Sequence, residues 1–129
     1  MSDVAAAFEA FPEPQRNQLL EVRNLIYETA ATTPGVGVLT ETLKWGEPSY
    51  LTEASKSGST IRLGLSKPER SAALFFNCQT TLISDMRAQF GDLFTFQGDR
   101  ALLLPGGPLP TSPLAICLAM ALTYHQRKT

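Results

Sequence analysis

Cysteine and histidine are scarce: 129 residues hold two of the first and one of the second. Cys78 and Cys117 are too few for a disulfide framework and read as free thiols of a reducing compartment. With His125 as the single imidazole, a closed tetrahedral zinc site would need a carboxylate, and every short ligand spacing is missing. A Cys–His pair would require His125 to meet Cys78 or Cys117 in space; a solvent-facing histidine at a helix end is the commoner arrangement.

An excess of charge of one sign is missing too. Eleven basic and twelve acidic residues leave a formal net charge of -1, so no long-range field favours a polyanion and nucleic acid is not an expected partner. The opening MSDVAAAFEAFPEP lacks a positive leader region and carries Asp3 and Glu9 where a signal peptide is apolar, which predicts the cytoplasm. The longest apolar run, Leu114 to Leu122, is about half of the ~20 residues needed to cross a bilayer, so no membrane span is expected. Gly106-Gly107 is followed by no Lys-Ser/Thr and belongs to no G-x-G-x-x-G, which removes the usual phosphate cradles. There is no internal repeat and no legible catalytic set, so the reading leans away from an enzyme.

What is present is an ordinary globular composition, 43% hydrophobic and 18% charged, enough for one real core. The pattern predicts a single α+β domain: a helical segment over 1–33, a sheet with one helix over 38–104, and a closing helix over 112–127. The largely antiparallel sheet should have about five short strands, packed by the N-terminal and C-terminal helices. Ser2 or Asp3 caps a first helix over Val4 to Ala10, and Pro12 and Pro14 separate it from a longer one over Glu13 to Thr32. In the longer helix Leu19, Val22, Leu25, Ile26 and Ala30 form the packed stripe. Ile61 to Leu65 alternates as a strand, Ala72 to Phe76 is a more apolar one, and Lys67 to Arg70 joins them as a hairpin. A third helix is expected over Thr81 to Phe90, then a hairpin of Leu93–Gln97 and Arg100–Leu104 turning at Gly98-Asp99. Ser112 caps the last helix, with Pro113 as its first residue and Arg127 and Lys128 at its negative end. That helix has almost no wet face; it is either covered within the monomer or packs on a second copy in a homodimer.

One stretch stands out. ETLKWGEPSY, Glu41 to Tyr50, crowds the only Trp together with a Gly, a Pro and a Tyr. Gly46 permits a bulge and Pro48 lacks a ladder donor, so a kinked or edge strand is expected here. Glu41 and Lys44 either bind a polar ligand or form a structural ion pair, and Trp45 and Tyr50 either line a pocket or pack. Cys78 follows the apolar strand near the start of a helix, where a dipole favours the thiolate, and is the candidate reactive thiol; core packing is the competing role. Cys117, inside an apolar helix, reads as core.

The residues Glu41, Leu43, Lys44, Trp45, Gly46, Pro48 and Tyr50 resemble the signature of the YdhG-like family, small bacterial domains largely of unknown function. Looser matches are LGLSKPE, LFFNCQT, RALLLP and the terminal LTYHQRK, so the resemblance runs from about Leu19 to Lys128. It implies a helix, a short sheet and a closing helix. Some members have been proposed as frataxin-like iron chaperones, so the resemblance also implies iron as a cargo, held on exposed carboxylates. For that purpose the chain offers Glu21 and Glu28, with Glu13 and Asp3 nearby and Arg16 and Arg23 interleaved. The preferred expectation is a non-catalytic binding or interaction module for an unknown small molecule or protein, with no resident cofactor. An iron chaperone is the alternative, and a thiol-dependent enzyme using Cys78 the third reading.

Overall fold

The computed structural model describes residues 2–126. Ser2 accepts a hydrogen bond from the Ala5 N–H at 3.1 Å and starts α1 (Asp3–Glu9). The proline pair then interrupts the helical run. Helix α2 (Gln15–Thr32) begins later than Glu13, because Pro14 occupies the cap position. The Glu13 carboxylate lies outside the helix and accepts from the Asn17 N–H. Leu19, Val22, Ile26 and Ala30 are buried as the periodicity predicts, Thr29 joins them, and Leu25 is half-buried.

The Glu41–Tyr50 stretch is two strands, β1 (Thr40–Lys44) and β2 (Glu47–Leu51), where a single kinked strand was expected. Trp45 (φ 56°) and Gly46 (φ 77°) both adopt the left-handed region. Two consecutive positive φ angles reverse the chain with the twist that a two-residue hairpin needs. Pro48 pairs with Leu43 but lies outside the β2–β3 ladder, which engages Ser49 and Tyr50, so its missing donor disturbs no bond there. Strand β1 forms one edge of the sheet.

Strands β3 (Ile61–Leu65) and β4 (Ala72–Phe75), helix α3 (Leu82–Phe90), strands β5 (Thr95–Gln97) and β6 (Ala101–Leu103), and helix α4 (Thr111–Leu122) follow. The fold is α+β, with a six-stranded antiparallel sheet in the order β1-β2-β3-β4-β6-β5. The sixth strand comes from splitting the tryptophan segment. The β5–β6 turn is three residues, 98–100, because Gln97 pairs with Ala101. Helix α4 starts at Thr111, ahead of the expected Ser112 cap, and Pro113 is accommodated within its first turn, where N–H groups have no helical acceptor. Arg127 and Lys128 lie outside the described residues.

Because side chains alternate along a strand and paired residues share a face, the register sorts the sheet into two surfaces. Tyr50, Ile61, Leu63, Leu74 and Leu102 face the helices and are fully or almost fully buried with Val22, Ile26, Met86, Leu114 and Leu118 in one core. Thr42, Ser49, Arg62, Phe75, Ala101 and Gln97 form a row across the other face.

The apolar α4 buries Leu114, Cys117, Leu118, Met120, Ala121 and Leu122 in this core, leaving Ile116 half exposed. Its last carbonyls are covered by the 52–60 loop. Ser57 donates to the Leu122 carbonyl at 2.8 Å, the Ser59 N–H donates to the Ala121 carbonyl at 2.9 Å, and the His125 N–H returns to the Ser57 carbonyl. These bonds satisfy helix-end acceptors that burial would otherwise leave unpaired. Gly58 allows the approach, since a Cβ there would land on the Leu122 backbone. No helix among the described residues is long and apolar enough to cross a membrane.

Candidate functional site

The signature stretch divides its residues between the two faces of the sheet. On the helix side, Glu41 and Tyr50 are direct cross-strand partners. The Tyr50 hydroxyl donates to Glu41 Oε2 at 2.7 Å, and Arg23 on α2 donates to the same carboxylate in a fork, Nε to Oε2 at 2.6 Å and Nη2 to Oε1 at 3.1 Å. Tyr27, one turn beyond Arg23, meets the Tyr50 ring edge to face at 5.9 Å and lies under the Arg23 guanidinium at 5.1 Å. Charge-assisted forks of this kind are among the stronger protein hydrogen bonds.

The electrostatics follow from the geometry. Burial pushes the Glu41 carboxyl up, but the hydrogen bonds from Arg23 and Tyr50 outweigh it and leave the group below its ordinary value. Burial, then the bond to Glu41, drives the Tyr50 phenol far up, and Tyr27 is raised by burial and the same carboxylate. The hydrogen bond to Glu41 likewise raises Arg23. At neutral pH the cluster is therefore a phenol, a carboxylate and a guanidinium committed to one another. It ties β1 and β2 to α2 and holds the hairpin rigidly.

On the open side the hairpin tip carries Lys44 and Trp45. Trp45 is 90% exposed, although tryptophan is ordinarily well buried. A groove of about 270 Å³ runs from these two residues across Arg62 and Phe75 to Cys78 and Arg100. The hydrogen bond from Phe76 N–H to the Arg100 carbonyl, 2.8 Å, sets Arg100 beside the end of β4. Arg62 stacks over Phe75 with its central carbon 5.6 Å from the ring centroid, and its Nε forms an ion pair with Glu47 at 3.2 Å that is poorly aligned as a hydrogen bond. Gly64 leaves room for Glu47, whose carboxyl is raised by burial despite the nearby Arg62 and Lys67 charges.

Lys44, Trp45 and Cys78 therefore line one groove, while Glu41 and Tyr50 sit behind it as supports. Cys78 is exposed in a turn closed by Asn77, whose Oδ1 accepts from the Gln79 N–H at 2.8 Å. It precedes α3, three residues ahead of the cap residue Thr81. Cys117 is buried and its thiol is pushed up to about 12 by burial. His125 is exposed at a different concavity, beside Lys56 and Thr60. Among the described residues no group of three His, Cys, Asp or Glu side chains is placed to hold a metal ion. Glu21 and Glu28 line one shallow groove with Asn24, Thr111 and Ser112, two carboxylates without a third. This donor set does not fit a frataxin-like iron ridge.

Sequence reasoning placed Arg23 only among the helix carboxylates and passed over Arg62, Phe75 and Arg100 as site residues. Arg23 and Tyr27 are spaced i, i+4 on α2, a signal that they share a helix face. Nothing local marks Arg62 or Arg100, which are brought to the groove by strand pairing alone. Set against models of known families, curated proteins and solved structures, the chain shows no match to any of them.

Proposed function

We propose that the chain is a cytoplasmic, non-catalytic binding module of the YdhG-like kind whose ligand site is the open-face groove at Lys44 and Trp45. The observation that carries this reading is Trp45 itself. A bulky aromatic stands in water, at a positive φ that asparagine or glycine would occupy with less strain, at the mouth of a concavity and on a hairpin braced from behind. Core packing does not account for it, whereas contact with a bound molecule does. Glu41 and Tyr50 belong to the site as the brace that fixes the angle of the tip. The near-neutral charge supports a small molecule or protein partner rather than nucleic acid, for a monomer or a homodimer. The two free cysteines support the reducing compartment.

The test is a ligand screen read by Trp45 fluorescence and by the amide shifts of Lys44, Trp45 and Cys78. Saturable changes at these positions are expected. If every compound and protein screened leaves them unmoved, the reading fails.

A second reading has one observation in its favour: the exposed Cys78 thiol lies in the same groove as Lys44, Arg62 and Arg100. On that reading the bound molecule reacts with the thiol. Mass spectrometry of the chain after incubation with candidate electrophilic metabolites, beside the Cys78→Ser variant, tests it.

A further inference from the structure

We infer that the groove takes a small anion, a carboxylate or a phosphate, borne on a flat apolar group. This rests on the reading above that the groove is the ligand site, and adds the chemistry of what it holds.

The charge balance of the groove differs from that of the chain. Overall the protein is close to neutral, at -1. Yet Lys44, Arg62 and Arg100 all line this one concavity, and no acidic side chain does. Arg62 alone of the three has a carboxylate partner, Glu47, and the pair is poorly aligned. Lys44 and Arg100 make no ion pair with any described residue. Glu47, ion-paired with Arg62 and opposite Lys44 across the β1–β2 ladder, offsets one of these three charges, and a bound anion would balance the positive excess that remains while accepting charge-assisted hydrogen bonds.

The walls specify the rest of the molecule. Trp45 and Phe75 add aromatic surface to the lining of the same groove. The Arg62 guanidinium lies over the Phe75 ring, 5.6 Å from its centroid, with its Nε toward Glu47, and a guanidinium can donate to an oxygen pair through its remaining N–H groups. Asn77 and Thr60 add neutral polar groups at the rim. The volume, about 270 Å³, is at the small end of ligand sites and suits a single ring with its anionic group rather than a nucleotide or a peptide.

The experiment is an NMR titration of the full chain with benzoate and phenyl phosphate, their neutral counterparts benzamide and benzyl alcohol, and inorganic phosphate. It is repeated on the Lys44→Gln/Arg100→Gln double variant, whose amide spectrum reports that the fold is kept. The expected result is saturable movement of the Trp45 indole and the Cys78 amide with benzoate, phenyl phosphate or both, and the stronger of the two identifies the anion. The neutral counterparts should bind at least about tenfold more weakly, and the double variant should lose about tenfold in affinity for the anions. Added salt should weaken binding.

Neutral compounds that bind as well as the anions, or an undiminished double variant, would overturn the anionic ligand and leave the groove standing as a site. Inorganic phosphate binding as tightly as phenyl phosphate would overturn the flat group. If no probe of either charge moves these resonances, the inference is overturned and so is the assignment of the groove.

Discussion

Tyr50 donates its hydroxyl proton to the carboxylate of Glu41, its direct partner across the β1–β2 ladder, at 2.7 Å. The bond is completely shielded on the tyrosine side, where Tyr50 is 0% exposed, and is reinforced by the Arg23 fork on the same carboxylate. A hairpin whose tip carries an exposed tryptophan is thus anchored by three side chains from three elements, β1, β2 and α2.

Breaking that anchor should be costly. Tyr50→Phe removes one hydrogen bond to a charged acceptor and should destabilise by about 1.5–3 kcal/mol. Glu41→Gln leaves Arg23 without its counter-charge; because Arg23 is partly exposed, the loss should be roughly 2 kcal/mol rather than that of a fully buried pair. The two residues share one network, so the double variant should lose less than the sum. Urea denaturation of the four proteins of the cycle measures this, and strict additivity would contradict the contact.

The same carboxylate gives a pH signature. The Glu41 value is lowered in the folded state from its ordinary 4.5, so its contribution is fully present above that value and is lost as pH falls through the folded value. Glu47 is raised, so its ionisation opposes folding, and it has the opposite slope. Glu41→Gln should therefore flatten the acid limb of the stability curve, and Glu47→Gln should steepen it. Thermal melts between pH 3 and pH 7 on the order of half a unit apart resolve the two slopes.

Trp45→Asn should make the protein more stable. The tip has positive φ at both central residues, a conformation that Asn-Gly adopts readily, and the exposed indole has little packing to lose. A gain of about 1 kcal/mol is expected, read as a rise in denaturation midpoint at constant slope. Ligand-induced shifts at Cys78 should weaken in the same variant. Lower stability would mean that the indole packs on the groove in solution.

The two thiols should separate cleanly. Cys78 is exposed, whereas Cys117 is buried with its thiol pushed up to about 12. Native protein at neutral pH should take one alkylating label, at Cys78, and denatured protein two, as read by intact mass. A ligand in the groove should slow the first.

Gly58→Ala tests how the 52–60 loop closes α4. The added methyl meets the Leu122 backbone, which cannot move aside as a side-chain end could. A loss of about 1–3 kcal/mol is expected, with faster amide exchange of Ser59.

Much of the architecture was legible because it follows from local pattern. Periodicity marked Leu19, Val22, Ile26 and Ala30 as the packed stripe of α2, alternation marked β3, and the Gly, Pro and Ser punctuation separated the elements. The tryptophan stretch showed the limit of that method. Gly46 and Pro48 announced a departure from a straight strand, but a bulge and a reversal share those residues. Pairing of Thr40 with Leu51 and of Lys44 with Glu47 is what makes it a reversal. Cys78 was visible as a residue near a helix start, yet its surroundings were not.

By itself, then, the sequence determined the class of fold, the order of its elements and most of the core, since helix and strand periods and turn residues act over a few positions. It also singled out the residues of the hairpin. Only the tertiary structure decided what those residues do. Strand register sends Glu41 and Tyr50 to the helix face, where Arg23 receives them, and leaves Lys44 and Trp45 at the tip, beside Arg62, Cys78 and Arg100. Such a gathering depends on contacts between positions far apart in the chain, and no local spacing encodes them.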